Sequence, residues 1–221
     1  MTAGAHESPT FKQVGGALCL DLVNTVGNWN DPAHQRDYLA SYDDLVGWSQ
    51  QAGTLTELEA QTLRREAAQR PAEATEVLAQ AAELRETIRE VALAVAHDHP
   101  IDPEALARLN RFVGELLGAS RLVPTEKGVV LMRHDDSTAL DRVLWPVVRS
   151  AIDLFTSGEL RRVRECAGEA CGWVFVDASR SGRRRWCDMA DCGNVAKVRR
   201  YRARQSTSSH DSAGQDRAAS A

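Results

Sequence analysis

Apolar residues recur through the first two thirds of this chain at three- and four-residue spacing, the period of helices buried on one face. The longest run follows Pro71, where Val77, Leu78, Ala81, Leu84, Ile88, Val91 and Val95 share one stripe. Pro71 suits a first helical turn, and the pattern predicts a helix ending near Pro100. Asp102-Pro103 restarts the period, with Leu106, Leu109, Val113, Leu116 and Leu117 on one face and Gly118 at its end. Upstream, Asp43 is a candidate cap for a turn carrying Leu45, Val46 and Trp48, and Gly53 is a candidate stop. Thr56 with Glu59 has the capping-box spacing for the next helix. A last helix in this region carries Leu140, Val143, Leu144, Val147, Val148, Ile152 and Phe155, with a kink expected at Pro146 and a hinge at Gly158.

Two stretches depart from that period. Leu18, Leu20 and Leu22 alternate with Cys19 and Asp21 as a strand would, but Leu18, Leu22 and Thr25 fit a short helix equally well. From Arg121 to Arg133, two apolar runs flank Glu126-Lys127-Gly128 and predict a β-hairpin. Residues 1–10 and 206–221 lack usable periodicity and are expected to be disordered.

The net charge of −4 conceals a segregation. Residues 161–205 hold 12 Lys and Arg against 5 Asp and Glu, whereas the rest of the chain holds 15 against 26. A C-terminal module with its own electrostatic role follows. No stretch approaches the roughly 20 consecutive apolar residues of a membrane span, and the first ten residues lack a signal-peptide pattern, so a soluble cytoplasmic protein is expected.

The same basic segment carries four of the five cysteines, as Cys166-x4-Cys171 and Cys187-x4-Cys192. Two close pairs separated by a hairpin-length stretch supply the four soft ligands of a closed tetrahedral Zn²⁺ site. Such a site has no open position, so one structural zinc is expected. Between the pairs, Trp173 and Phe175 alternate with Val174 and Val176 before a Ser/Gly turn and an expected return strand toward Trp186. Cys19, alone in an apolar run, reads as a core side chain.

After Cys192 a helix is expected, with Asn194 near its N-cap. Lys197, Arg200 and Arg204 then fall in one stripe beside Tyr201, Arg199 and Arg202 flank the apolar side, and Val195 and Val198 are available to pack on the hairpin. Arg180, Arg183, Arg184 and Arg185 form a second cluster between the cysteine pairs. Both suit a polyanion, and phosphate backbones are the commonest. RNA, stacking on Trp173, Phe175, Trp186 or Tyr201, is the alternative partner, and a protein-interaction module is another.

The stretch "RRVRECAGEACGWVFVDASRSGRRRWCDMADCGN" followed by "AKVRRYRAR" resembles the CGNR zinc finger of bacterial transcription regulators. That resemblance implies Cys166, Cys171, Cys187 and Cys192 as zinc ligands, in agreement with their spacing. One position departs from it, since the motif's arginine after Gly193-Asn194 is Val195 here. "GGALCLDLVNT" at 15–25 and "YLASYDDLVGW" at 38–48 are similar to the ABATE domain, a stress-induced transcription-regulator domain that usually precedes this finger.

The expected fold is therefore mainly α (α+β), with a helical, ABATE-like body over 11–157 that includes one small β-hairpin. A treble-clef-like or ribbon-like zinc module with four cysteine ligands follows over 158–205, ending in the basic helix. The expected function is a cytoplasmic bacterial transcription regulator that binds DNA through the finger and senses a small-molecule effector or protein partner through the body. Asn24, Trp29 and Trp48 are candidates for an effector pocket, against ordinary core and turn chemistry. His34, His97, His99 and His134 are scattered, with no paired nucleophile and no phosphate-binding glycine loop, so an enzyme is not expected. Amphipathic helices of this kind serve a monomer's core or a homodimer interface alike.

Overall fold

The computed structural model describes residues 10–133, 138–203 and 205. The expected disorder of the two termini, and the positions of His134 and Arg204, lie outside them. Among the described residues the architecture is mainly α, with three two-stranded antiparallel ribbons and a cluster of four cysteines leading into a final helix.

Helix α1 (Leu18–Val23) settles the ambiguous alternation: Cys19 to Val23 are all buried. A helix buried all round shows no amphipathic period, which is why the leucines imitated a strand. Ribbon strands β1 (Val26–Gly27) and β2 (Arg36–Asp37) follow, then α2 (Tyr42–Gln51). Ser41, rather than the expected Asp43, caps α2 by accepting from the Asp44 N–H at 3.1 Å, while Asp43 pairs with Arg64. The capping box of α3 (Glu57–Gln69) is complete, with Glu59 N–H donating to Thr56 Oγ1 and Thr56 N–H to Glu59 Oε2.

The spine is α4 (Pro71–Ala96), 26 residues and so about 39 Å long. It packs against α1, α2, α3 and α5 (Pro103–Gly118), whose cap is Asp102. Strands β3 (Ser120–Thr125) and β4 (Gly128–Arg133) make the expected hairpin, with Leu122, Val129 and Met132 facing outward. Pro146 does not kink a helix. A 3₁₀ turn over Leu140–Leu144 hands over to α6 (Trp145–Phe155), whose first turn needs no N–H from proline.

Gly158 likewise opens a 3₁₀ turn, Gly158–Arg162, that leads into β5 (Val163–Glu165). Its partner β6 (Val174–Val176) pairs from Val163↔Val176 to Glu165↔Val174. This ribbon encloses the first cysteine pair, and the expected return strand before Trp186 does not form. Val163, Val174 and Val176 lie in the same hydrophobic cluster as Leu20, Trp48, Leu84 and Val147. The β5–β6 ribbon thus shares the core of the helical body, while Cys166, Phe175 and Cys187 form a second cluster flanked by Trp173 and Trp186.

Side chains and backbone from residues 15–30 complete that junction. Val176 N–H donates to the Gly15 carbonyl at 2.8 Å. The Asn24 amide donates to Val174 O at 2.9 Å and accepts from Val174 N–H at 3.0 Å, reproducing a strand's two hydrogen bonds with one side chain. Trp29 and Asn30 donate backbone N–H groups to Cys171 O and Ala170 O. At Gly172, with φ +64°, an added Cβ would lie 2.6 Å from Trp29 Cβ, so only glycine allows the two segments to meet.

Two outcomes test this seam. Asn24→Ala strands a buried N–H and C=O on β6 and should lower unfolding stability by on the order of 3 kcal/mol in denaturant titrations, with zinc content unchanged. Burial pushes the Asp21 carboxyl up to about 6, although hydrogen bonds from Gly15 and Val14 oppose the shift. Because the folded value lies above the unfolded one, ionised Asp21 opposes folding above pH 6, and the penalty vanishes below pH 4. Wild type should therefore gain about 2 kcal/mol relative to Asp21→Asn as pH falls from about 7 to 4, whatever the amide itself costs.

Candidate metal centre and basic surface

Four local turns deliver the sulfurs. Cys166 leaves β5 with its N–H bonded to Trp173 O, and Cys171 closes a turn by donating to Gly168 O. Asp177, just beyond β6, accepts N–H bonds from Ser179 and Arg184, each at 2.9 Å, and so folds the arginine loop back toward Cys187. Asp188 caps a π-helical turn, Met189–Gly193, that carries Cys192 and runs directly into α7 (residues 194–203).

The four Sγ atoms lie within 4.8 Å of one another. Cys171 and Cys187 are 3.7 Å apart, and Cys187 and Cys192 are 3.6 Å apart. Those separations are far beyond a bond of about 2.05 Å between sulfurs. They match the edge of a tetrahedron with Zn–S bonds of about 2.3 Å, roughly 3.8 Å. Gly168 leaves the necessary room, since a Cβ there would fall 3.3 Å from Cys192 Sγ and 3.0 Å from Cys171 Cβ.

Packed this closely, the thiols oppose one another's ionisation. Hydrogen bonds from Cys171 and Cys187, together with N–H groups of Cys187 and Gly168, hold the Cys166 thiol well below its usual value. The Cys166 sulfur in turn pushes Cys171 and Cys187 up, and burial raises Cys192. A divalent cation is what allows all four to be thiolates, and the N–H donors at Gly168, Trp173 and Cys187 orient the sulfurs around it.

The arginine cluster divides. Arg180, Arg183 and Arg185 are exposed, but Arg184 turns inward. It donates to the carbonyls of Trp186, Val14 and Cys187 and lies 4.2 Å over the buried Phe175 ring. Its guanidinium is thus engaged by the module's own carbonyls, unlike those of its exposed neighbours. On α7, Lys197, Arg199, Arg200 and Arg202 are exposed, and Arg199 pairs with Glu169. Val195 and Val198, expected against the hairpin, are 56% and 47% exposed, because α1 and α4 already cover β5 and β6. Among the aromatic candidates, Phe175 is buried, Trp173 and Trp186 are half-buried, and Tyr201 is exposed.

A cleft of about 470 Å³ lies between the β1–β2 ribbon, the cysteine turns and α7, and brings Arg185 together with Arg199 and Arg200. Asn24, Trp29 and Trp48 do not line it. Asn24 holds β6, the Trp29 indole donates to Val23 O, and Trp48 is in the core. His34 pairs with Asp31 and His97 with Glu165, and neither histidine joins the cysteine cluster's ligand set.

Arg85 was not anticipated. It is 4% exposed on α4, donates to both carboxylate oxygens of Asp37 at 2.8 and 2.5 Å and to Thr25 Oγ1 at 3.1 Å, and thereby anchors the ribbon that walls the cleft. An arginine inside a helix's apolar stripe, beside Leu84 and Ile88, was the signal available.

Fold and site together define a structural zinc-finger protein rather than an isolated finger. The ABATE family profile, described as "Putative stress-induced transcription regulator", matches residues 16–158, and the CGNR zinc finger profile matches residues 162–205. The chain belongs to the ABATE family and carries a CGNR zinc finger. A search of curated proteins finds no match. No helix among the described residues is long and apolar enough to cross a membrane.

One zinc per chain is expected by elemental analysis, with Cys192→Ser retaining far less. Because β5 and β6 share the body's core, chelation should lower the melting temperature of the whole chain in calorimetry, not melt a separate small module.

Proposed function

We propose that this protein is a cytoplasmic bacterial transcription regulator that binds duplex DNA through its zinc-framed basic surface. In this reading residues 158–205 contact DNA, Cys166, Cys171, Cys187 and Cys192 hold the zinc, and the body over 11–157 senses an effector or partner. The observation that carries it is the convergence of two basic clusters from separate elements: Arg185 from the loop and Arg199 and Arg200 from α7 meet at one cleft. Arg180, Arg183, Lys197 and Arg202 extend the same charge across exposed surface.

The chemistry is phosphate neutralisation. After subtraction of the −2 of a zinc tetrathiolate, residues 161–205 keep a net charge of +5. A helix of ten residues is about 15 Å long and enters a major groove about 12 Å wide. Zinc keeps helix and loop in fixed relation, so both engage one backbone without reordering. An RNA reading is supported by Tyr201, 62% exposed beside the arginines, whose ring offers a stacking surface to an unpaired base.

Binding to duplex DNA and to single-stranded RNA over a salt series tests the proposal. Arg183→Ala/Lys197→Ala/Arg200→Ala should weaken DNA binding and flatten the slope of log K against log salt by about 0.9 per phosphate contact removed. Preference for RNA would install the second reading. Absence of nucleic-acid binding at low salt would make the finger a protein-interaction module.

A further inference from the structure

The cleft beside the cysteine cluster has two kinds of wall. Tyr38 from the body and Trp173 and Trp186 from the zinc module supply aromatic surface, and Val195 supplies an aliphatic side chain where the CGNR motif has arginine. The Trp173 indole is fixed by its bond to Val26 O at 2.7 Å, so its ring is preset. Tyr38 lines the same space; Arg36 lies 5.0 Å over its ring, and its hydroxyl has no hydrogen-bond partner among the described residues.

The charges at the rim do not cancel. Glu169 is paired with Arg199, and Asp191 with Lys12. Arg185 and Arg200 have no carboxylate partner among the described residues, and Arg185 lies 5.4 Å over the Trp186 ring. Two unopposed guanidiniums beside planar apolar walls, in a volume within the roughly 300–1,000 Å³ of small-molecule sites, specify a ligand with one flat ring and one anionic group.

We propose that this cleft binds a planar aromatic anion, its ring against Trp186 and Val195 and its charged group on Arg185 and Arg200. A zinc tetrathiolate carries net −2, so the ring belongs on the cysteine side and the anion at the arginine end. The site spans the seam: Gly27, Asn28 and Tyr38 come from the body, and Arg199 and Arg200 from the basic helix. Building on the proposed function, occupancy takes Arg185 and Arg200 from any polyanion, so ligand and nucleic acid compete, each weakening the other by the same factor.

The site is testable without nucleic acid, so failure of DNA binding leaves it standing. The five indole N–H signals of the zinc-loaded full chain, assigned by Trp→Phe variants, are followed by NMR during titration. Salicylate and AMP are the probes, with benzyl alcohol and inorganic phosphate as the uncharged and ringless controls. The expected result is saturable movement of Trp173 and Trp186 by salicylate or AMP at up to millimolar concentration, while Trp48 and Trp145 stay fixed. Which probe binds tighter separates an aryl acid from a nucleotide. Arg185→Ala/Arg200→Ala should weaken binding about tenfold or more, and Ala196→Trp, which fills the cleft from α7, should abolish it, both at wild-type zinc content. The proposal is overturned if neither probe moves those signals, if either control moves them equally well, or if both variants bind as wild type does. With binding established, loss of competition against duplex DNA would overturn the coupling alone.

Discussion

The joint between the two halves of this molecule turns on one buried amide, which satisfies the β6 backbone that other seam contacts leave unpaired. Asn24 bonds both backbone groups of Val174, and Gly15 O accepts from Val176, so the free edge of β6 is completed by the helical body and not by another strand. A buried N–H or C=O without a partner costs free energy comparable to several ordinary contacts, so this pairing is close to obligatory once β6 is covered. The packing of Val163, Val174 and Val176 under α4 and α1 depends on it, and so does the position of everything attached to the ribbon.

Zinc then sets what lies beyond the ribbon. Structural sites of this type supply on the order of 10–16 kcal/mol in finger peptides, as much as the whole stability of an ordinary domain. Here that energy is shared with the body. The same four turns that gather the sulfurs aim α7 and fold the arginine loop beside it, and Arg184 locks the loop by bonding three carbonyls. Body, metal site and basic helix therefore meet within one cleft.

Much of this was legible along the chain. Thr56 with Glu59, and Asp102 before Pro103, announced helix starts because a cap acts over three or four residues and needs no tertiary partner. The hairpin around Glu126-Lys127 was legible for the same reason. The cysteine pairs stood out because metal-ligand spacing is a local property. Where two local partners competed, or a distant one intervened, the chain alone misled. Asp43 lost the cap to Ser41 but gained Arg64, and the partner of β6 proved to precede the first cysteine rather than follow the arginines. Val195 and Val198 had a hairpin face to pack on only if the body left one open, and it did not.

By itself, then, the sequence determined a mainly helical body, one four-thiolate zinc site and a segregated basic segment, since period, spacing and charge are properties of neighbouring residues. Only the tertiary structure decided that the Asn24 side chain and the Trp29 backbone form the seam, that Arg184 faces inward, and that Arg85 anchors the ribbon walling a cleft. Hydrogen bonds between residues 48 positions apart, as Arg85 and Asp37, or 150, as Asn24 and Val174, leave no periodic trace, and whether a guanidinium bonds a carbonyl or meets solvent depends on which surface the fold has already covered.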